Sequence, residues 1–371
     1  MKRFLKNNGP VIALILLVML MTIIEPPFFT PRNLSNLIRQ VSVVGIIAVG
    51  MTFVILIAGI DLSVGSIVGL SAVVVALLMQ VGFPVWLAII LTVLSVGVIS
   101  GLFTGFMTAK FDIHPFIITL GVMTIARGLS LILTNGVSIP VTDDFFGWIG
   151  AGYFPPLPSL LILIIAVAIG TIMVFRRRKQ KQKYNIRTTT GEFVGALILI
   201  LLIFVVCSYI FLQYRGIPIP VAIFLTIALW GIFVLEKTRF GRRLYAIGGN
   251  EDVAWLSGID IFKSKIEVYT IVAVLSSISG IILASRLNGA SPNLGNGFEL
   301  DAIASAIIGG TSFMGGIGTV SGTVVGTLII GVIDNGMSMK GINTFYQMIV
   351  KGIIIILAVL LDVINRRQRA K

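Results

Sequence analysis

The chain has 371 residues, 57% of them hydrophobic and 12% charged, with mean hydropathy +1.05. A soluble domain carries roughly 25% charge, so a large water-soluble core is excluded. The formal net charge of +13 raises nucleic acid as a partner, but the basic residues stand in runs between apolar segments: Lys2, Arg3 and Lys6; Arg176 to Lys179; Arg239, Arg242 and Arg243; Arg366, Arg367 and Arg369. That is the positive-inside pattern of a membrane protein, and no nucleic-acid binding is expected. The single cysteine, Cys207, forms no internal disulfide. The lone His114 builds no metal site by itself, and no metal is expected.

The N-terminal basic residues precede an apolar run from Val11 to Ile24, then Glu25-Pro-Pro-Phe-Phe29 where a small-x-small cleavage site would stand. An uncleaved first span is expected. Apolar runs suited to a roughly 30 Å core predict an all-α polytopic protein of about twelve spans. They fall near 10–25, 43–60, 64–80, 84–109, 115–134, 157–175, 193–213, 217–235, 267–285, 300–314, 317–333 and 344–363. An even count puts both termini and every strong basic cluster on one side, the cytoplasm. The expected layout is one transmembrane domain over 1–371. It comprises a first repeat about 10–134, a basic linker 176–187, a polar segment 236–266 and a second repeat about 267–365. Outer loops are expected at 26–42, 135–156 and 286–298; the second carries Phe145, Phe146, Trp148 and Tyr153, suited to an interface or an extracellular partner.

The repeat is visible in Gly59-Ile-Asp-Leu-Ser-Val-Gly-Ser-Ile-Val-Gly69, which aligns with Gly316-Ile-Gly-Thr-Val-Ser-Gly-Thr-Val-Val-Gly326. Pro31 to Asn36 echoes Pro292 to Asn296 upstream, and the two copies are expected to run in parallel, a transporter-like arrangement. Gly97, Gly101 and Gly105, like Gly318, Gly322 and Gly326, recur every fourth residue and predict close helix packing.

Asp61 interrupts an apolar stretch, where a charge is costly unless paired or wetted. Two roles stand side by side: with Ser63 it offers hydrogen bonds to a hydroxylated solute, or it caps a helix starting at Leu62. In the outer segment, Arg286, Asn288, Ser291, Asn293, Glu299 and Asp301 either receive a polar solute or satisfy one another at helix ends. Arg127 and Lys351 are cations within spans, expected to face the bundle.

The segment Glu236 to Lys265 is polar and doubly basic between two spans. Its second half predicts a short helix with Glu251 and Asp252 at its start, where the dipole favours acids, and Ala254, Leu256 and Ile259 free to dock. No G-x4-G-K-[S/T] phosphate loop occurs, so the chain does not bind ATP by that route.

Together these stretches resemble the permease subunits of bacterial ABC importers for monosaccharides, the ribose, arabinose, galactose and xylose group. The motifs are Gly59-Ile-Asp-Leu-Ser-Val-Gly65, Phe240-Gly-Arg-Arg-Leu-Tyr-Ala-Ile-Gly-Gly-Asn250, Leu256-Ser-Gly-Ile259 and Glu299-Leu-Asp-Ala-Ile-Ala-Ser-Ala-Ile-Ile-Gly-Gly-Thr-Ser312. Asp334-Asn-Gly-Met337 and Tyr346-Gln-Met-Ile-Val-Lys-Gly352 extend the match. Glu251-Asp252-x-Ala254-x3-Gly258 is similar to the E-A-A-x3-G segment that seats such permeases on their ATPases, with Asp in place of the first Ala. A two-span insert from about Arg176 to Gly216, with Tyr214-Arg-Gly-Ile-Pro-Ile-Pro220, is similar to the xylose permeases.

The resemblance implies a multi-pass subunit of the bacterial inner membrane, catalysing no reaction and holding no cofactor, with ATP bound by a separate cytoplasmic sugar-type ATPase. A periplasmic or lipoprotein sugar-binding protein and a second permease copy are the other expected partners. Xylose is the first expected sugar, another pentose or hexose the next. The solute pathway is expected at Asp61, Ser63, Asn288, Ser291, Glu299, Asp301, Thr311 and Asn335. ATPase coupling is expected at Arg242, Arg243, Asn250, Glu251, Asp252, Ala254, Ser257 and Gly258. The alternatives are an ion-coupled sugar carrier acting without an ATPase, and a non-transporting receptor or scaffold.

Overall fold

The computed structural model describes residues 9–184 and 190–369; the basic residues Lys2, Arg3, Lys6 and Arg187 lie outside them. The first five helices are α1 (Gly9–Ile24), α2 (Pro31–Leu56), α3 (Val64–Gln80), α4 (Val85–Lys110) and α5 (Pro115–Thr134). Strand β1 (Ile139–Pro140), helix α6 (Asp144–Ala151) and strand β2 (Tyr153–Phe154) follow. Then come α7 (Pro156–Lys183), α8 (Thr190–Leu212), β3 (Ile217–Pro218), α9 (Ile219–Lys237), α10 (Arg239–Gly249) and α11 (Glu251–Leu256). The chain ends with α12 (Ile261–Leu287), β4 (Gly289–Ala290), α13 (Phe298–Ile308), α14 (Val320–Met339) and α15 (Thr344–Arg369). Among the described residues, nine helices are long and apolar enough to cross a membrane; α1 and α3 are apolar but shorter. The protein is an all-α polytopic membrane protein, its strands confined to two short antiparallel ladders, β1 with β4 and β2 with β3.

Local chemistry sets the helix ends. Pro31 and Pro115 occupy first-turn positions, where a missing N–H costs nothing. Thr238, Asn250 and Asp260 cap α10, α11 and α12 through side-chain oxygens that accept backbone N–H groups, each contributing about 1 kcal/mol.

Helix α12 is the hub, packed against α2, α3, α4 and α6. Gly97, Gly101 and Gly105 of α4 face its Val274, Thr270 and Ile266, so the two backbones run antiparallel in close contact. Gly50 of α2 meets Val272, and Gly280 of α12 itself meets Val68 of α3. In lipid there is no hydrophobic drive between helices, so small residues that admit backbone contact carry the association.

The repeat takes physical form in two turns. One joins α2 to α3 and the other joins α13 to α14, and Gly248 of α10 touches both: a Cβ there would strike the Leu56 carbonyl and the Gly316 amide. Leu56 accepts a hydrogen bond from Gly316 N–H at 2.9 Å. From this face α3 runs toward the β1–β4 ladder, and α14 runs toward Asn335, which exchanges hydrogen bonds with Asn33 at 2.9 and 3.0 Å. Both glycine-rich helices thus leave the α10 face for the opposite one.

Several sequence boundaries shift. Residues 31–42, expected in an outer loop, are the first turns of α2, because Thr30 caps a helix that Pro31 starts. The basic run from Arg176 is helical through Lys183. Gly318 lies in the turn before α14 and not on its face, packed on Thr311. The span expected at 300–314 is the 11-residue α13, about 16 Å long and short of a full crossing. The rest of that traverse is irregular backbone from Ser291 to Gly297, turned by Gly295 and Gly297 at φ 75° and 83°, a region that disfavours any Cβ. Gly65 and Gly69 bring α3 onto it. Arg127 of α5 donates to the Pro292 and Leu294 carbonyls, the second at 3.2 Å. Irregular backbone survives at membrane depth only when enclosed and satisfied in this way.

Gly101→Leu should drive α4 off Thr270, destabilising the protein by about 1–3 kcal/mol and cutting the monodisperse fraction in fluorescence-detected size exclusion. Gly121→Leu is the control: nothing lies within 4 Å of its Cβ position. Equal profiles for the two variants would contradict the packing role of the glycines.

Candidate functional site

Two regions combine unusual chemistry with a defined position. The first is the exposed surface of α10 and α11. Helix α11 presents Val253, Trp255 and Leu256 at 57%, 67% and 76% exposure, while Ala254 is turned inward at 3%. Of the three residues expected to be free to dock, Leu256 faces out, whereas Ala254 is turned into the core and Ile259 is partly packed against it, because successive helix positions point about 100° apart. Gly258 closes the helix at φ 79°, and Ile259 N–H reaches the Ala254 carbonyl at 3.1 Å. The Ala-x3-Gly spacing therefore has a local reason: one residue must fit beneath the helix, the other must adopt a left-handed turn.

Ion pairs hold this surface to the bundle. Glu251 meets Lys265 at 2.7 Å, and Arg243 meets Glu267 at 3.2 Å with its guanidinium also over the Phe240 ring. Arg242, Asp252, Ser257 and Gly258 are solvent-exposed, and Asn250 spends its side chain on the Val253 N–H at 3.0 Å. Tyr245 reaches across to donate to the Gly318 carbonyl at 2.8 Å. Burial, reinforced by the nearby Glu236, pushes its hydroxyl pKa up, so it stays a donor.

The second region is a cavity of about 240 Å³ lined by α2, α12, α13, α14 and α15. Its polar wall holds Asp301, Asp334, Lys351, Arg286 and Gln40; Phe298, Leu283 and Ile330 supply apolar surface. Lys351 bridges Asp301 and Asp334 at 2.9 Å each. The sequence marks Lys351 as bundle-facing, but its pairing with Asp334 leaves no signal along the chain, since the partners sit on different helices.

The remaining pathway candidates are dispersed. Asp61 accepts from Ser63 through both its N–H (2.8 Å) and its Oγ (2.6 Å), a cap-like turn before α3, which begins at Val64 and not at Leu62. Glu299 lies against Gly65 and α3. Asn288 is the left-handed C-cap of α12, its carbonyl accepting from Val141 N–H at 3.0 Å. Ser291 closes a turn to Leu294 N–H at 3.1 Å. Thr311 is buried under Gly318, and Asn335 is committed to Asn33. Of the eight, Asp301 alone lines the cavity.

Residues 33–359 match the family described as the branched-chain amino acid transport system / permease component. The chain is 40% identical over 343 residues to the xylose transport system permease protein XylH of Escherichia coli (strain K12), covering 92% of this chain and 87% of that protein. It is 40% identical over 361 residues to the ribose import permease protein RbsC of Bacillus subtilis (strain 168), covering 96% and 93%. Against the ribose import permease protein RbsC of Escherichia coli (strain K12) it is 37% identical over 371 residues, covering 99% and 96%. No solved structure matches the chain. With a family match across residues 33–359 and these identities over nearly its whole length, the chain belongs to this transport-system permease family.

Proposed function

We propose that the protein is the membrane-spanning subunit of an ATP-driven pentose importer, forming the translocation path and docking a separate ATPase on α10 and α11. The observation that carries this reading is the apolar ridge Val253, Trp255 and Leu256, exposed beside Glu251 and Asp252 on a helix that the Glu251–Lys265 ion pair ties to the bundle. Exposed, rigidly held large apolar side chains of this kind suit a protein partner. The relatives' names support a sugar cargo, and equal 40% identity to a xylose and a ribose permease supports a pentose without choosing between them. The α10–α11 face would then be cytoplasmic, with a sugar-binding protein delivering solute to the opposite face and a second permease copy completing the pore.

Coupling follows from how α10 is seated. Gly248 rests on the Leu56 carbonyl and the Gly316 amide, so its backbone bears on both repeat turns at once. Tyr245 ties the same helix to Gly318. A displacement of α10 by a closing ATPase pair would move the starts of α3 and α14 together, without needing a side-chain relay.

The ion-coupled alternative gains one observation, the intramembrane carboxylates Asp301 and Asp334 gathered about Lys351. It is tested in proteoliposomes holding the permease alone: pentose uptake driven by a proton or sodium gradient without ATP would favour it over the importer.

Trp255→Asp should leave the permease monodisperse yet abolish copurification with its ATPase; undiminished association would refute the docking assignment. Tyr245→Phe removes about 1 kcal/mol of hydrogen bonding, worth about a fivefold effect. Pentose transported per ATP hydrolysed should fall by about that factor while ATPase association is retained, and an unchanged ratio would remove Tyr245 from the coupling route.

A further inference from the structure

The cavity between α2, α12, α13, α14 and α15 contains more hydrogen-bonding capacity than its own residues use. Asp334 bonds Lys351 through Oδ2, while its Oδ1 is buried with no partner. Lys351 has three N–H donors and spends two, on Asp301 and Asp334. Arg286 lines the same space, with Arg39 and Tyr153 as its electrostatic neighbours, and among the described residues its guanidinium makes no hydrogen bond or ion pair. A buried acceptor left unmade is costly, and a hydroxyl donor entering the cavity would satisfy it.

The charges narrow the occupant further. Lys351 is shared by Asp301 and Asp334, whereas the charge acting most on Arg286 is that of Arg39, a like charge. A free cation would therefore meet cations on two sides, whereas a neutral polyol adds no charge to a low-dielectric setting. The Phe298 ring, Leu283 and Ile330 line the same cavity, apolar surface of the kind that packs against the C–H face of a sugar ring. The volume of about 240 Å³ admits a molecule of five carbons and five oxygens.

We propose that this cavity is a pentose-binding site inside the permease, with Asp334 and Arg286 as its direct contacts, Lys351 positioned by Asp301, and Phe298 beneath the ring. The proposal rests on the pentose-importer reading and adds a way-station to it: the permease holds the sugar itself between delivery and release.

The test uses the full chain in lipid nanodiscs, with neither ATPase nor binding protein, and tritiated D-xylose as the probe. Saturable binding is expected, displaced by D-ribose and not by L-leucine. Arg286→Gln and Asp334→Asn should each weaken it about tenfold or more. Val44→Phe, which fills the cavity from a wall that makes no polar contact, should abolish it. Absence of saturable sugar binding, unchanged affinity in these variants, or displacement by L-leucine would overturn the proposal. As a check that does not depend on the charged residues, Val44→Cys in a Cys207→Ser background is labelled with a methanethiosulfonate reagent. D-Xylose should slow that labelling several-fold, and an unaltered rate counts against the site. Failure of the site and failure of the importer reading are separable. The reconstituted complex transporting pentose while the nanodisc permease binds none would sink the cavity alone, whereas no ATP-driven pentose transport would sink the reading on which it rests.

Discussion

Backbone-to-backbone contact through glycine is the constraint on which the remaining architecture depends. Within a bilayer, side-chain burial gives little preference for a neighbouring helix over lipid, so close approach must supply the association. Helix α12 meets α4 along Gly97, Gly101 and Gly105, α2 at Gly50, and α3 through its own Gly280. Once α12 is held on these sides, its last turn fixes Arg286 at the cavity wall and its second turn fixes Glu267 against Arg243 on the α10 face. The two functional regions are therefore opposite ends of one clamped helix.

The same principle lets non-helical backbone sit at membrane depth. The chain from Ser291 to Gly297 enters the bundle without regular hydrogen bonding, covered by Gly65 and Gly69 and satisfied in part by Arg127. That irregular entry shortens α13 and places Phe298 and Asp301 at its start, beside Asp334 and Lys351.

The seating of α10 at the other face depends on an absence of side chain. Gly248 fits between the two repeat turns only because nothing projects from its Cα. The repeat, read at first as a matched pair of glycine patterns, is thus also the surface on which α10 rests. Asp61 has no counterpart in the second copy, where Gly318 stands, and its hydrogen bonds to Ser63 make it a local turn-former. Its repeat partner instead offers a carbonyl to Tyr245.

Hydropathy by itself determined the membrane class and most span positions, since a run of some 20 apolar residues has few alternatives in water or lipid. The glycine spacing, the capped start of α11 and the Ala254-x3-Gly258 pattern were legible for a similar reason: each reports a local need, whether close approach, an N-terminal acceptor or a left-handed turn. Helix length was less legible where a cap, and not hydrophobicity, sets the start, as at Thr30 and Pro31. The cavity was out of reach, because Asp301, Asp334, Lys351 and Arg286 lie on four helices, and no periodicity links residues that meet only after the bundle closes. Nor could sequence say which face of α11 would turn outward, so Trp255 passed unnoticed beside Leu256. Tertiary structure decided both, because burial and ion pairing belong to the distances between helices and not to positions along the chain.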